Sequence, residues 1–522
     1  MVKITTILTG RYKKVLKKGN HDKIKLLFRS LAVFDRRASV VQSEKSTVNI
    51  SKGAEQQEST FEEEMLKKSR PAGFTVDESM NDDDEEEDDD GLALAALDSL
   101  DAIEVFKQDQ KMDRKIHHAV IPANNFKQLI MLMLLYAGLK PMDNLSSYSE
   151  GLEQRLSGLE GAAAAVIAQF EPEPQSGGIR YRDFVKAITT TSPWLFEPLN
   201  ALFEHFLFSQ NINLSKQKGI PLTTGNPRSS PIYAAQQDVA SRLLSDTLLS
   251  QLSLSVQIAM PTGTPANIFY SGARLNQIYS MSSHGTSMSS FSRQVLSWQS
   301  ATLLMVSGTA QNSSTTITIG AYLPEHWKEP TRSTENTDPA APKACMFQLQ
   351  PRHAVFPAYP YNKTIPISHF SNSTGIALGC VIPPKSRTNT ASQMPILGPV
   401  SLIINSDMSS AIFQHDGNAG TGAFQTDPLL EEAQRDTSKH GVQGRKTTFD
   451  IDALEIWGIS FLDESGEDEV TRQKKRLAWE EAEAARRAGV NFGGDKDGAR
   501  ALLEMAGLVG DKAGNRSGGS MN

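Results

Sequence analysis

The chain has 522 residues, 39% of them hydrophobic, with 53 Lys and Arg against 60 Asp and Glu and a formal net charge of −7. That length allows two or three domains at roughly 100–200 residues each. The longest apolar run, Leu129–Leu139, is far short of the roughly 20 residues a membrane helix needs, and two cysteines, Cys345 and Cys380, exclude a disulfide framework and stand in no C-x-x-C pair. A reducing, intracellular setting is expected. The start, Met-Val-Lys-Ile, has too short an apolar stretch for a secretory signal, and Val2 stands where myristoylation needs Gly. The acidity is local. Asp82–Asp90 is an unbroken run of nine carboxylates, and without it the rest of the chain is near +2.

Residues 1–38 are basic, with eleven Lys and Arg against Asp22 and Asp35. Ile4, Leu8, Tyr12 and Val15, then Ile24, Leu27, Phe28 and Leu31, recur at helical spacing. This predicts two helices with a solvated basic face, the start of a domain entered partway. Residues 39–95 hold Ser, Glu, Gln and Lys, few aromatics and the acidic run. Such a segment cannot bury enough apolar area to offset its conformational entropy and is expected to be a disordered linker.

Residues 96–215 read as a helical domain, with helices predicted over Leu92–Gln108, Asn124–Leu139, Gly161–Phe170 and Trp194–Phe208. Ile179-x-Tyr181-x-x-Phe184 has the shape of half an EF-hand, a short strand leading into a helix. No D-x-[DN]-x-[DN]-G is present to supply a calcium loop. Residues 216–235, rich in Pro, Gly, Ser and Thr, form a second linker.

Residues 236–462 hold only 14 Lys and Arg against 15 Asp and Glu. Short β-type runs separated by turn residues predict strands over Ala301–Val306, Thr315–Tyr322, Cys345–Leu349, Gly375–Ile382, Val400–Asn405 and Glu455–Phe461, with helices over Asp238–Leu252 and Ser289–Gln299. The stretches after Trp327 and around Pro383–Pro395 are too polar and Pro-rich for core. Residues 463–522 carry a long Ala/Glu/Arg helix, Asp468–Ala488, with a narrow apolar stripe, then a short helix Ala499–Ala506 and a tail. The long helix suits a solvated appendage or a docking helix.

Chemistry is sparse. No P-loop, G-x-S-x-G elbow or H-E-x-x-H is present. Gly417, Gly420 and Gly422 suit a surface loop. His117-His118, adjacent on a helix, would point about 100° apart, a poor chelate. Ser283-His284-Gly285 puts a serine beside a histidine, but triad partners meet in space rather than in sequence. A turn before a helix is preferred. Cys380, in an apolar run, reads as a core thiol. The near-neutral body lacks the basic stripe that phosphate neutralisation requires, so no direct nucleic-acid partner is expected.

The order of motifs resembles the TLDc domain family. The pieces are Ile278-Tyr279-Ser280-Met281-Ser282-Ser283-His284-Gly285-x-Ser287, Phe291, Ala301–Val306, Ile319-Gly320-Ala321-Tyr322, Trp327, Cys345-Met346-Phe347-x-Leu349-x-Pro351, Thr374–Gly379, Thr448-Phe449 and Leu454-Glu455-Ile456-Trp457-Gly458. These pieces, in the family's order from Ile278 to Gly458, are specific together, though none is alone. The basic start, the helical middle and the tail Trp479–Gly494 are similar to a fungal branch of the family with a genetic link to telomere capping. That branch has a longer N-terminal helical domain, often starting Met-Gly, which implies that this chain begins inside that domain and that the buried faces of residues 1–38 lack partners.

The resemblance implies an α+β fold: an N-terminal helical, degenerate EF-hand-like region, a TLDc domain of two antiparallel β-sheets flanked by helices, and a C-terminal helix. It implies no established catalytic residues, no cofactor and no metal. Ser283, His284, Gly285, Gly320, Trp327, Gly379, Glu455 and Trp457 are expected to be structural motif positions. Members are associated with oxidative-stress resistance and with binding the vacuolar proton-pumping ATPase. The implied role is therefore that of a non-enzymatic, cytoplasmic monomer. It would bind peripheral-sector subunits of that pump and be recruited to the vacuole membrane at most peripherally. The alternative is a stress-protective protein of weak redox or hydrolytic activity centred on Ser283, His284 or Cys380.

Overall fold

The computed structural model describes residues 2–8, 22–34, 119–140, 145–149, 151–173, 177–208, 231–232, 243–327, 344–360, 365–383, 394–435, 446–461 and 469–489, with a few isolated positions between them. The predicted helices Leu92–Gln108 and Ala499–Ala506, the acidic run and His117-His118 lie outside them.

The helical lobe begins with α1 (Val2–Leu8) and α2 (Lys23–Leu31). The Asp22 carboxylate caps α2 by accepting the Ile24 N–H at 2.9 Å. Then follow β1 (Val33–Phe34), β2 (Ala119–Pro122), α3 (Ala123–Leu135), α4 (Leu145–Ser149), α5 (Leu152–Ala168), β3 (Gly178–Arg180), α6 (Tyr181–Thr190) and α7 (Glu197–Phe208). β2 is the middle strand of an antiparallel β1–β2–β3 sheet, and Ile121 lies opposite Ile179. α2 packs on α6 and α3 on α5. Two strand–helix units, β2–α3 and β3–α6, thus pair through their short strands, as in a paired EF-hand.

The second unit shows why no calcium loop forms. Gly177, at φ +61°, stands just before the strand, where an EF-hand turns on its central glycine. Pro172 and Pro174 occupy the positions five and three residues ahead of it, where carboxylates or amides are needed.

The first two helices do have partners. Ile4, Ile7, Leu8, Leu26, Leu27 and Phe28 belong to the same apolar core as residues 116–203, and the Phe28 ring lies 5.1 Å from Tyr181 and 5.5 Å from Phe184. Because β1 and β2 pair with each other, the long polar segment leaves and rejoins this lobe at one point. It interrupts a domain where the sequence suggested a boundary.

In the second lobe, α8 (Asp246–Ser253) follows an N-cap at Ser245 and is succeeded by the small hairpin β4 (Gln257–Ala259) and β5 (Pro265–Asn267). Next come β6 (Arg274–Ser280), α9 (Met281–His284), α10 (Met288–Ser297), β7 (Thr302–Ala310), β8 (Thr316–Leu323), β9 (Cys345–Gln350), β10 (Ala354–Pro357), β11 (Ser368–Ser371), β12 (Gly375–Leu378), β13 (Val400–Ile404), β14 (Ser410–His415), α11 (Pro428–Arg435), β15 (Lys446–Ser460) and α12 (Glu469–Gly489).

The strands run β10-β9-β8-β7-β15-β14-β13-β12-β11, with β6 also paired to β15. The two expected sheets are joined by β15, whose 15 residues pair with β14 early, with β6 late, and with β7 along most of their length. Period-two alternation feeds two cores. Leu304, Val306, Ile319, Leu454 and Ile456 enter one; Leu303, Met305, Tyr322, Trp457 and Ile459 enter the other. With both faces covered, these strands read as continuous apolar runs rather than alternating ones.

The lobes meet at the β9–β10 turn. The His353 N–H donates to the Ala165 carbonyl at 2.9 Å. The His353 ring is fully buried between Gln251, whose amide faces Nδ1 at 3.3 Å, and the Ser255 hydroxyl at Nε2. Gln251 also donates to the Leu349 carbonyl at 2.8 Å, which fixes its amide orientation and makes Nδ1 an acceptor. Burial lowers the His353 pKa from 6.5 to about 4. The unfolded chain therefore binds this proton first as pH falls. The contribution is complete above pH 6.5 and is lost progressively between 6.5 and about 4. Denaturant titrations are expected to show about 3 kcal/mol lost over that window, and a His353→Gln chain that still folds should lose that part of the slope.

Candidate functional site

The motif residues converge where β6 ends and β15 crosses it. Tyr279 is buried in β6, and its hydroxyl donates to the Gly285 carbonyl at 2.5 Å. Burial pushes the phenol up to about 12. The chain then makes one helical turn, α9, ended by Gly285 at φ +74°, a conformation that disfavours any residue with a Cβ.

This turn brings His284 back over the strand. Its ring stacks on Tyr279 at 5.6 Å, and its Nδ1 accepts the Ser280 N–H at 3.1 Å. The neutral ring therefore carries its proton on Nε2. Ser283, on the same turn, is exposed. Cys380 lies apart, in a small apolar cluster with Ala377 and Ile403. Burial pushes the thiols of both Cys380 and Cys345 up to about 12, the opposite of what an activated thiolate needs. The structure brings Ser283 and His284 onto one turn and leaves Cys380 outside it.

Glu455 and Trp457 are two residues apart on β15 and share a face. The Glu455 carboxylate is 2% exposed. It accepts the Leu243 N–H at 2.8 Å, the Leu244 N–H at 3.1 Å and the Trp457 indole N–H at 2.9 Å. The two backbone donors belong to the segment that leads into α8. This buried anion thus ties the start of the lobe to its central strand, and three N–H donors offset its loss of hydration. The partner set was not readable beforehand, because Leu243 and Leu244 lie more than 200 residues away in sequence.

The remaining motif positions have local reasons. A Cβ on Gly320 would stand 2.3 Å from the Leu304 carbonyl oxygen and 2.5 Å from the Phe347 ring. Gly379, at φ +67°, ends β12 against Val400 and cuts the predicted strand Gly375–Ile382 short. The Trp327 indole donates to Thr302 Oγ1 at 3.0 Å, and its ring meets Phe291 edge-on at 5.7 Å.

A cleft of about 310 Å³ opens beside this region, lined by Ser280, Met281, Ser282, Thr286, Asp452, Ala453, Leu454 and Glu455. Its carboxylate and hydroxyl groups could hydrogen-bond a polar group, but neither Ser283, His284 nor Cys380 lines it. Both Glu455 oxygens are already engaged. Among the described residues no group of three His, Cys, Asp or Glu could hold a metal ion, and no helix is long and apolar enough to cross a membrane. Gly417, Gly420 and Gly422 fall in the connection between β14 and α11.

Comparison with known proteins fits this geometry. The model of the TLDc domain matches residues 238–460, from just ahead of α8 to the last residue of β15. A protein from Neosartorya fischeri named "Restriction of telomere capping protein 5" is 38% identical over 551 aligned residues, covering 99% of this chain and 83% of its own length. Namesakes from Emericella nidulans, at 37% identity over 98% of this chain and 78% of theirs, and from Aspergillus clavatus, at 36% over 100% and 83%, are similar throughout.

Glu455→Ala would remove the acceptor that the Leu243, Leu244 and Trp457 N–H groups share, at about 1–3 kcal/mol each. It is expected to cost at least about 3 kcal/mol in chemical denaturation. Native Cys345 and Cys380 should resist alkylation until the chain is unfolded. Rapid labelling of Cys380 in the folded protein would restore it as a redox candidate.

Proposed function

Because this chain belongs to the TLDc family, and within it to the fungal proteins named restriction of telomere capping protein 5, we propose that it is a non-enzymatic docking protein of the cytoplasm. It binds peripheral-sector subunits of the vacuolar proton pump and biases the assembly of that pump. The link of the relatives to telomere capping then acts through protein partners. The even charge of the body, 14 basic against 15 acidic residues over 236–462, supports this, since tight nucleic-acid binding rests on phosphate neutralisation.

One observation carries the reading. α12 is anchored to the body from its start as far as Glu481, which pairs with Arg293 on α10 at 2.8 Å. Glu469 accepts the Gln299 N–H at 3.2 Å and pairs with Arg476. Gln473 Nε2 donates to Ser297 Oγ at 2.9 Å, and Arg476 Nε donates to the Ser297 carbonyl at 2.7 Å. Away from these contacts the helix faces solvent, with Trp479 66% exposed beside Ala478 and Ala482. A long helix presenting a bare tryptophan matches the helix-in-groove mode of recognition, and tryptophan is the side chain most enriched at binding hot spots.

The full chain, used as bait in fungal lysate, is expected to retain the pump's peripheral subunits. Trp479→Ala should weaken retention on the order of thirtyfold, the effect of ~2 kcal/mol at a hot spot, with the melting temperature unchanged because the ring is exposed. No retention by a correctly folded full chain would overturn the proposal.

A further inference from the structure

We infer that the helical lobe is a releasable cover on the second lobe, and that the two separate as bodies at the β9–β10 turn. Each lobe has its own apolar core. Among the described residues, α8 packs on α3 and α5, the Phe269 ring lies against Gly138, Leu254 and Leu429 enter the helical core, and Ala137 enters the other. The rest of the seam is polar. Arg352, at the tip of the turn, donates to Glu171 at 3.1 Å and to the Gln169 carbonyl at 3.4 Å. Asn267 donates to Glu197 at 2.7 Å, the Tyr270 hydroxyl to the Leu139 carbonyl at 3.2 Å, and the Trp194 N–H to the Leu254 carbonyl at 3.1 Å. Arg182 and Lys186 on α6 both reach Glu432 on α11 at 2.8 Å.

Four polar atoms here are buried with no hydrogen-bond partner among the described residues: Gln169 Nε2, Gln251 Oε1, Arg352 Nε and Asp427 Oδ2. Gln169, Gln251 and Asp427 are each at most 3% exposed. Such groups are unfavourable where they are and regain hydration when the seam opens. Polar interfaces between domains of one chain are also the ones that permit relative motion. The two lobes are joined through residues 209–230, rich in Pro, Gly, Ser and Thr. Opening uncovers Arg352, Leu254, Leu429 and Phe269, a surface that the closed form withholds from any partner.

Hydrogen–deuterium exchange on the full chain tests this. The seam amides of His353 and Trp194 should exchange well before those of β7 and β15, which open only on global unfolding. Arg352→Ala removes a charged hydrogen-bond donor, so seam exchange should rise by about ten- to a hundredfold, with β7 and β15 unchanged. Glu432→Gln, at the solvated edge, should raise it a few-fold. Seam amides as protected as the central strands in the wild-type chain would overturn the inference, whether or not the variants fold. So would an Arg352→Ala effect spread equally over both lobes.

Discussion

Everything in the larger lobe depends on the pairing of β15 along both of its edges. One strand of 15 residues has β7 on one side and, in succession, β14 and β6 on the other. Register shifts between Ile451 and Ala453 against β7, and between Ile456 and Trp457 against β6, let it turn from one set of strands into the next, as bulges do by adding local twist. Without it, the group β10-β9-β8-β7 and the group β14-β13-β12-β11 would each have an open edge. The strand also carries the buried Glu455, so the element that joins the sheet holds the start of the lobe as well. Gly458 belongs to the same arrangement, since a Cβ there would stand 2.3 Å from the Trp298 ring.

The two lobes are built on different physics. Their interiors are apolar and close-packed: Phe28, Phe126, Phe170 and Phe184 form one aromatic cluster, and Tyr279, Phe291, Trp327 and Phe370 form another. Their contact is largely polar: His353 and Asp427 are buried in or beside it, and Arg352 is partly buried there. Burial raises the pKa of the Asp427 carboxyl, while its N–H donates to His415 Nε2 at 3.0 Å. Burying polar groups costs hydration without the compensation apolar packing brings, so such a contact holds the lobes less firmly than either core holds itself. The EF-hand-like lobe has the paired strand and helix scaffold, while prolines stand at two ligand positions ahead of Gly177.

Motif residues of this kind are easily mistaken for chemistry. Ser283-His284-Gly285 has the composition of a catalytic turn, yet the histidine's Nδ1 accepts a backbone N–H and its ring packs on a tyrosine. Glu455 and Trp457 look like an acid beside an aromatic, yet they are an acceptor and its donor. In each case the side chain's hydrogen-bonding capacity is directed at the backbone or at a neighbour in the fold. The surface that distinguishes the protein outwardly is α12, where the tryptophan lies on solvent.

Local and periodic features were legible in the sequence. Short apolar β-type runs over Ala301–Val306, Thr315–Tyr322 and Val400–Asn405 marked β7, β8 and β13 to within a few residues. Helical spacing marked α2 and α12. The even charge of residues 236–462 was legible too. What the tertiary structure alone decided involves contacts between distant segments. These include the length of β15, predicted only for its second half because its first half alternates with Thr447, Asp450 and Asp452; the union of residues 2–34 with residues 116–203 in one core; the ligands of Glu455; and the polar seam at Arg352 and His353. Periodicity reports which face of an element is buried, but not what buries it. Only the folded chain brings Leu243 to Glu455 and Phe28 to Phe184.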